Sequence, residues 1–290
     1  MSYYSKAVYL NHIFYEDTIY GMKKLPSESF DVIISDPPYN IKKDFGENQD
    51  NLSLEDYIVW SQKWITEAIR LLRPHGTLYV YGFSEILAHI SVNIPLEQRW
   101  LIWHYTNKTS PSSKFWQRSY EAIICAWKET PYFDRDAVRE PYTENFIKNA
   151  AGKKRAGTKG RFSHRGATTT YTAHEKGALP RDVIDIPALA GGAGKNERWF
   201  ICHTCNLIGE PSEYKKHREH EVEKHPTQKP QKLTERLLLA SAPKYGDVLI
   251  PFVGTGSECF VAKKMGLSYT GFENNNLYIQ LAEKLLESVK

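Results

Sequence analysis

FDVIIS at residues 30–35 and DPPY at residues 36–39 form the most informative segment of this 290-residue chain. The first six residues are mostly apolar and β-branched, which is typical of a strand buried on both faces of a parallel sheet. Two prolines in succession cannot continue a central strand, so the strand ends at Asp36. The segment therefore predicts a buried strand that delivers a carboxylate to a rigid turn at its carboxyl end.

Strands and helices alternate on both sides of this segment. Ser53 is predicted to cap a helix whose first turn carries Glu55 and Asp56, and Pro74 is predicted to end it. Other strands are predicted at residues 77–83, 100–105, 122–127, 248–252 and 268–272, and other helices at residues 230–242, from residue 256 and at residues 277–288. This alternation predicts an α/β fold with a mostly parallel sheet, in which ligands bind at the carboxyl ends of the strands.

Composition and the first residues of the chain exclude several classes of protein. Hydrophobic residues make up 41% and charged residues 25% of the chain. The sequence contains no run of about 18 apolar residues, which is the length needed to span a membrane. Residues 1–6 lack the apolar core of a signal peptide, and the four cysteines are too few for a disulfide framework in a chain of this length. We therefore expect a cytoplasmic protein that does not bind a membrane.

The residue types of the DPPY turn suit a planar amine. The amino nitrogen of adenine or cytosine is a poor nucleophile because its lone pair is delocalised into the ring. Hydrogen bonds from the two amino hydrogens to Asp36 and to the carbonyl of Pro37 would localise that lone pair. Tyr39 could stack on the base and align it with a methyl donor, which requires the base to leave the duplex. The alternative is a proline-rich turn with a satisfied aspartate.

A second turn, PFVGTGS at residues 251–257, has the pattern strand, glycine-rich turn, helix. Glycines at Gly254 and Gly256 let the backbone approach a nucleotide-like cofactor closely. Cys259 stands where a dinucleotide fingerprint would need its third glycine, which disfavours NAD. Glu273 ends the following strand, where its carboxylate can accept hydrogen bonds from the two hydroxyls of a ribose. On its own this turn indicates only an adenosine-bearing ligand.

Together these segments resemble the β group of DNA amino-methyltransferases, in which the Asp-Pro-Pro-Tyr turn precedes the cofactor turn along the chain. The resemblance extends to Asp17 and Thr18, and to HPTQKP at residues 225–230. It implies a Rossmann-like methyltransferase fold, with a mostly parallel seven-stranded sheet and helices on both faces. It also implies methyl transfer from S-adenosylmethionine to a base flipped out of double-stranded DNA, in a restriction–modification setting. A homodimer and a companion restriction endonuclease are compatible with this resemblance.

The resemblance assigns two sets of site residues. The catalytic set is Asp36, Pro37, Pro38 and Tyr39. The cofactor set is Asp17, Thr18, Asp36, Thr227, Gln228, Lys229, Phe252, Gly254, Thr255, Gly256, Ser257 and Glu273. We expect Thr227, Gln228 and Lys229 to lie near the methionine end of the cofactor.

The target base is assigned less directly. A turn that begins with aspartate rather than serine resembles the enzymes that methylate N6 of adenine. Chemically, Asp36 could accept a hydrogen bond from either amino group, so N4 methylation of cytosine and amino methylation of RNA stay open. Ile250 stands where the family usually has an acidic residue, which keeps an inactive nucleic-acid-binding relative open as well.

The regular pattern weakens over residues 128–224. We therefore predict a catalytic domain formed by residues 1–127 and 225–290, with a DNA-recognition insertion at 128–224. Residues 145–174 contain no acidic side chain, and such a basic block suits a polyanion, although a solvated loop is the ordinary alternative. The predicted DNA-contacting residues are Lys148, Lys153, Lys154, Arg155, Lys159, Arg161 and Arg165.

A cluster of cysteines and histidines lies within the same insertion. Cys202 and Cys205 are separated by two residues and are followed by His217 and His220. This set could bind a structural zinc ion, which would stabilise an insertion too small to hold a core of its own. Two reduced thiols and two surface histidines are the alternative.

Overall fold

The structure of the chain is a computed structural model that describes residues 3–41, 51–107, 112–156, 168–170 and 172–289, with the backbone only at 155, 156, 168 and 169. The chain divides into two compact units. The larger unit consists of Met1–Phe133 and Asp182–Lys290, and the smaller one is Asp134–Arg181. Among the described helices, none combines the length and the apolarity needed to cross a bilayer.

Thirteen strands are present in the described residues. They are β1 (His12–Tyr15), β2 (Phe30–Ser35), β3 (Leu72–Gly82), β4 (Glu97–His104), β5 (Tyr120–Trp127), β6 (Lys154–Ala156), β7 (Thr168–Thr170), β8 (Val183–Asp185), β9 (Phe200–Cys202), β10 (Leu207–Gly209), β11 (Val222–Glu223), β12 (Asp247–Ile250) and β13 (Ser268–Glu273). The α-helices are α1 (Lys6–Tyr9), α2 (Thr18–Met22), α3 (Leu54–Leu71), α4 (Ser84–Ser91), α5 (Glu144–Asn149), α6 (Gln231–Ser241), α7 (Ser257–Lys264) and α8 (Asn276–Glu287). Short 3₁₀ helices cover Gly191–Gly194 and Pro211–His217.

The main sheet has the strand order β1-β13-β12-β2-β3-β5-β4-β8. Neighbours from β1 to β3 are parallel, whereas β5 runs antiparallel to both β3 and β4. The predicted α/β fold with a mostly parallel sheet is confirmed. The predicted count of seven strands is wrong for the described residues, because β8 pairs in parallel with β4 and adds an eighth strand at the edge.

Both faces of the sheet are covered by helices. Ile33 packs into a core that contains Trp64 of α3, whereas Val32 and Ile34 pack into a second core that contains Leu237 of α6 and Ala282 of α8. Since alternate residues of a strand point to opposite faces, β2 is buried on both sides, as its apolar run predicts.

The helix predicted after Ser53 forms as α3, and the Ser53 hydroxyl accepts a hydrogen bond from the Asp56 N–H at 3.1 Å. The following strand starts earlier than predicted, at Leu72 rather than Thr77. The pairing of β2 with β3 explains the difference. Phe30 pairs with Leu72, whereas Val32, only two residues later, pairs with Thr77. The intervening residues bulge out of the ladder, so Pro74 lies within a strand without breaking it.

The compact smaller unit is narrower than the insertion proposed for residues 128–224. Residues 182–224 belong to the larger unit, where they contribute β8 and a separate three-stranded antiparallel sheet in the order β10-β9-β11. Residues 134–181 form the smaller unit by themselves, with α5 and the antiparallel pair β6 and β7. The boundary between the two compact units therefore falls within the polar region, while a DNA-recognition insertion at residues 128–224 stays a prediction.

Candidate active site

The two turns singled out in the sequence meet at one edge of the sheet. β2 and β12 are parallel neighbours, with Val32 opposite Val248 and Ile33 opposite Leu249. Both strands therefore end at the same edge, and a cavity of about 290 Å³ lies there between the two turns. Asp36 of the first turn and Gly254 of the second turn both line this cavity.

The cavity collects most of the residues predicted to hold a cofactor. In the part of the chain that the structure describes, all of that set except Gly256 line the cavity, together with Pro37 and Pro38. Gly256 has a φ of 78°, and a Cβ added there would lie 2.6 Å from the Cβ of Ala282 in α8. The close approach of α8 therefore accounts for a glycine at this position, and a contact between Gly256 and the cofactor stays a prediction.

Asp36 is held by an ion pair and a hydrogen bond. Its Oδ2 accepts a hydrogen bond from Lys229 Nζ at 2.8 Å, and its Oδ1 accepts one from the Tyr39 hydroxyl at 2.8 Å. Burial raises the pKa of Asp36, and the Lys229 ammonium opposes that rise. Both oxygens of the carboxylate are therefore fixed in orientation at the cavity wall.

Glu121 in β5 is a second buried carboxylate at this site, and it was not singled out from the sequence. Its Oε2 lies 3.6 Å from Lys229 Nζ and 3.2 Å from the Tyr39 hydroxyl. Its Oε1 accepts a hydrogen bond from the Tyr105 hydroxyl at 3.3 Å. The sequence did carry one sign of this residue's role, because Glu121 is an acidic residue at the start of an otherwise apolar strand. A charge buried in such a strand is costly unless it is paired, so a partner could have been expected.

Lys229 links the two carboxylates. Its side chain is 2% exposed, and Nζ also donates to the carbonyl of Thr227 at 3.1 Å. Burial on its own would lower the pKa of Lys229, but Asp36 and Glu121 raise it above its ordinary value. Lys229 was predicted near the methionine end of a cofactor. It does line the cavity, but its ammonium group is bound to Asp36.

Tyr39 faces the interior of the protein. Its side chain is 5% exposed, its ring packs edge-on against Phe83 at 5.1 Å between centroids, and among the described residues it does not line the cavity. Burial raises the pKa of Tyr39 well above its ordinary value, so the hydroxyl keeps its proton and donates to Asp36. The stacking of Tyr39 on a base stays a prediction, whereas this geometry gives Tyr39 the task of orienting Asp36.

The glycine turn is organised by Glu273 at the end of β13. Glu273 accepts hydrogen bonds from the N–H groups of Gly254 at 2.8 Å, Asn274 at 3.0 Å and Asn275 at 2.9 Å. Gly254 has a φ of 51°, a conformation that favours glycine. Burial raises the pKa of Glu273. The carboxylate predicted to bind a ribose is thus held rigidly in the wall of the cavity.

Glu258 places an acidic side chain at the cavity, whereas Ile250, at the position where the family usually has an acid, does not. Ile250 is fully buried in the core beside Val248 and, in the described chain, does not line the cavity. Glu258, in the first turn of α7, lines the cavity and accepts a hydrogen bond from the Ser257 hydroxyl at 2.6 Å. Burial raises the pKa of Glu258 to about 7. An acidic side chain thus lines the cavity after the glycine turn, although none precedes it at position 250.

The walls of the cavity fit a nucleoside-bearing ligand. Trp60 and Phe252 line it with their rings 5.7 Å apart, which provides an aromatic surface for a purine. The buried hydroxyl of Thr18 has no hydrogen-bond partner among the described residues, and buried polar atoms normally have one. His225 is neutral, because burial lowers its pKa to about 3. The residues present therefore fit S-adenosylmethionine, the cofactor that the resemblance implies.

A family model of DNA methylases matches residues 30–284, a range that contains both turns and the segment between them. The chain belongs to the DNA methylase family. The resemblance drawn from four short segments of sequence is confirmed, and so is the classification of the chain as a DNA methyltransferase.

Two curated relatives extend over nearly the whole of this DNA methylase. The type II methyltransferase M.HpaI of Haemophilus parainfluenzae is 28% identical over 278 residues, which cover 94% of this chain and 73% of the relative. The DNA adenine methyltransferase YhdJ of Escherichia coli strain K12 is 27% identical over 281 residues, which cover 95% of this chain and 82% of the relative. The similarity therefore includes the polar region between the two turns.

Solved structures show the same fold. The cytosine-N4-specific PvuII DNA methyltransferase superposes with a TM-score of 0.65 at 13% identity, covering 94% of this DNA methylase and 85% of that chain. The complex of M1.HpyAVI with S-adenosylmethionine superposes with a TM-score of 0.56 at 18% identity, covering 95% and 98%. At these identities the comparison supports the fold of the methylase and not its target base.

The basic residues predicted to contact DNA are described in part. Lys148, Lys153 and Lys154 are exposed on the smaller unit of the methylase. The rings of Tyr142 and Phe146 stack beside them with centroids 4.5 Å apart. Of the remaining predicted contacts, the side chain of Arg155 and the residues Lys159, Arg161 and Arg165 lie outside the described residues.

The structure brings the predicted metal ligands together. One ligand atom from each of Cys202, Cys205, His217 and His220 lies within 4.8 Å of all the others. The 3₁₀ helix Pro211–His217 carries one histidine, and the β9–β10 turn carries one cysteine. Convergence of these four side chains, separated by up to 18 residues, is the arrangement that the zinc hypothesis requires.

Proposed function

We propose that this DNA methylase transfers a methyl group from S-adenosylmethionine to the N6 amino group of an adenine flipped out of a specific sequence of double-stranded DNA. The observation that carries the proposal is the Asp36 carboxylate, which Lys229 and Tyr39 hold at the wall of the cavity that also contains the glycine turn. An amine placed against Asp36 would therefore lie next to a ligand bound at Gly254.

Asp36 and the carbonyl of Pro37 are proposed to accept hydrogen bonds from the two hydrogens of the target amine. An ionised carboxylate is the better acceptor, and the Lys229 ammonium at 2.8 Å favours that ionised form in a buried site. The Tyr39 hydroxyl fixes the second oxygen, so the carboxylate cannot rotate away. Asp36 need not act as a strong base, because a methylated ammonium loses its proton readily.

The proposed cofactor residues surround the rest of the cavity. When bound, S-adenosylmethionine supplies an electrophilic methyl group on a sulfonium centre. Glu273 would accept from the ribose hydroxyls, and Trp60 and Phe252 would pack on the adenine ring. Glu258 would accept a hydrogen bond from the ammonium group at the methionine end, a contact for which the family usually has an acid at the position of Ile250. The remaining proposed contacts are Asp17, Thr18, Thr227, Gln228, Thr255 and Ser257.

Adenine is proposed as the target because the turn begins with aspartate, and because the relative YhdJ is named a DNA adenine methyltransferase. The test is to incubate the purified full-length protein with tritiated S-adenosylmethionine and unmethylated DNA, and then to separate the nucleosides. We expect label only in N6-methyldeoxyadenosine. Label only in N4-methyldeoxycytidine would overturn the adenine assignment, and label in RNA but not in DNA would overturn the substrate class.

Calorimetry with S-adenosylmethionine distinguishes an enzyme from an inactive nucleic-acid-binding relative. We expect binding, because the polar and aromatic residues of the cavity are in place despite Ile250. A protein that binds DNA but not S-adenosylmethionine would support the inactive relative. Sequencing of methylated positions in DNA from cells that express the protein would then identify the recognised sequence.

The exposed lysines of the smaller unit are proposed to contact DNA phosphates. Each phosphate contact contributes about 0.9 to the slope of log affinity against log salt concentration, so changing Lys148, Lys153 and Lys154 to glutamine should reduce the slope by about 2 to 3. Lys23, Lys63 and Lys244 are exposed lysines of the larger unit, and changing them to glutamine provides the control. An equal slope in the two triple variants would remove the predicted stretch from the interface.

Three further assignments complete the proposal. We propose that Cys202, Cys205, His217 and His220 bind a structural zinc ion. We propose a cytoplasmic location, where the DNA substrate is accessible. A homodimer and a companion restriction endonuclease are proposed from the family resemblance, and light scattering and an assay for site-specific cleavage in the source cell would test them.

A further inference from the structure

The residues 199–223 form a small module that carries the four candidate metal ligands. Its strands β9, β10 and β11 contain only three, three and two residues. Trp199 and Ile201 pack against Leu281 and Leu285 of α8. Such short strands hold few backbone hydrogen bonds, so the module needs another source of rigidity.

The distances between ligand atoms are close to those around a tetrahedral zinc ion. Ligands about 2.0 to 2.3 Å from tetrahedral zinc lie about 3.3 to 3.8 Å from one another. Cys202 Sγ is 3.5 Å from His220 Nδ1, and Cys205 Sγ is 3.7 Å from His217 Nδ1 and 3.1 Å from His220 Nδ1. The two histidine Nδ1 atoms are 3.2 Å apart. Two sulfur and two nitrogen atoms that can ligate a metal therefore lie close together.

We propose that the module binds one Zn²⁺ ion and that this ion holds residues 225–229 in position, and with them the Lys229 partner of Asp36. The zinc would act at a distance, since none of its four ligands lines the cavity in the described chain. This inference rests on the proposed function for its catalytic consequence, but the metal site and its effect on residues 225–229 stand by themselves.

The first connection runs through β11. Val222 and Glu223 pair with Cys202 and Ile201 of β9, so a displacement of Cys202 moves β11 as well. Glu223 Oε1 accepts a hydrogen bond from the Tyr278 hydroxyl at 2.9 Å. Tyr278 lines the cavity, and its ring packs edge-on against His225 at 4.9 Å between centroids.

The second connection runs through the residues that precede β9. Arg198 Nη2 donates a hydrogen bond to the carbonyl of His225 at 2.8 Å. The carbonyl of Glu197 accepts one from Gln228 Nε2 at 3.0 Å, and Glu197 Oε2 accepts one from the N–H of Gln231 at 2.9 Å. The segment that delivers Lys229 to Asp36 is thus attached to β11 of the module and to the two residues that precede the module.

The first experiment measures the metal. The full-length protein, purified without chelator, is expected to contain one zinc per chain, and cobalt substitution is expected to produce the absorption of tetrahedral Co²⁺ bound to thiolate. The variant Cys202→Ser with Cys205→Ser should lose the metal. His203→Asn is the matched control, because His203 adjoins the site but pairs with Glu223, and it should retain one zinc. A wild-type protein that binds neither metal would overturn the site.

The second experiment measures the coupling. Removal of zinc by a chelator is expected to weaken S-adenosylmethionine binding about tenfold, because hydrogen bonds that position the cavity are lost. Tyr278→Phe should retain one zinc and yet weaken cofactor binding by about fivefold or more, because it removes the hydroxyl that donates to Glu223 and keeps the ring. Tyr245→Phe, at an exposed tyrosine, should change neither quantity. Equal affinity with and without zinc would overturn the coupling.

Hydrogen exchange separates this inference from the proposed function. Zinc removal is expected to accelerate exchange at residues 225–229, but not at β2, whether or not the protein binds S-adenosylmethionine. If the zinc-loaded protein bound no S-adenosylmethionine, the proposed function would be wrong. Hydrogen exchange at residues 225–229 would still test whether zinc holds that segment in position. Unchanged exchange at residues 225–229 after zinc removal would contradict it directly.

Discussion

The two turns that enclose the cavity are stabilised in opposite ways. The turn after β2 is held by side chains, through the ion pair of Asp36 with Lys229 and the hydrogen bond from Tyr39. The turn after β12 is held through its backbone, by the positive φ of Gly254 and by the hydrogen bond from the Gly254 N–H to Glu273. The first should therefore be sensitive to charge and pH, and the second to added side-chain volume.

The largest effect is expected at the charged turn. Asp36→Ala should lower methyl transfer by about 1000-fold or more, because the amine loses its hydrogen-bond acceptor, while cofactor affinity changes little. Turnover and calorimetry on the same preparation measure the two quantities. Asp36→Asn keeps the volume and should also be inactive, and Glu287→Ala at an exposed position of α8 serves as the control. Turnover retained in Asp36→Asn would contradict the assigned role.

The glycine turn should respond through stability. Gly256→Ala is expected to lower the free energy of unfolding by about 2 to 4 kcal/mol, since a left-handed residue with a Cβ is strained and the added atom overlaps Ala282. Gly266→Ala is the matched control, because Gly266 has a similar φ of 72° and nothing lies within 4 Å of its added Cβ. Urea unfolding should show a loss of only about 1 kcal/mol there. Equal losses would mean that close packing of α8 is not the reason for Gly256.

A smaller effect is expected from removing the charge and keeping the shape. Lys229→Met removes the cation that opposes the burial of Asp36, so the pKa of Asp36 should rise further. Since the ionised form of Asp36 accepts the hydrogen bond, activity should be lost at a higher pH on the acid side. We expect the acid limb of kcat/KM to move up by about one pH unit or more. Lys232→Met, at an exposed position of α6, is the control and should not move the acid limb of kcat/KM. An unmoved acid limb in Lys229→Met would show that the ion pair does not influence Asp36.

Much of this contrast could be predicted from residue types. The apolar run before Asp36 and the glycines after residue 251 identified two strand ends, and parallel strands bring such ends to one edge of a sheet. The pairing of Asp36 with Lys229 could not be predicted, because 193 residues separate them and many other lysines were available. Glu121 was missed for the same reason, since only the packed sheet places β5 beside β3, one strand away from β2.

The errors came from features that depend on packing. β8 has three residues in a polar region, and only its pairing with β4 makes it a strand. The packing of α8 against Gly256 was likewise not foreseen, whereas the assignment of Gly256 to the cofactor stays a prediction. The four residues of the cysteine–histidine cluster do converge, because they are close in sequence and spacing constrains their geometry, while zinc binding itself stays a prediction.

The position of β12 has a consequence for how the protein comes into being. This strand lies between β13 and β2, and the N–H of Asp247 donates to Asp31 across 216 residues of chain. During translation, the edge of β2 therefore stays unpaired until β12 has been synthesised, long after the first half of the chain. Contacts so distant along the chain slow folding. A chain that has not yet been translated beyond residue 224 lacks both Lys229 and the glycine turn, so it cannot form the cavity.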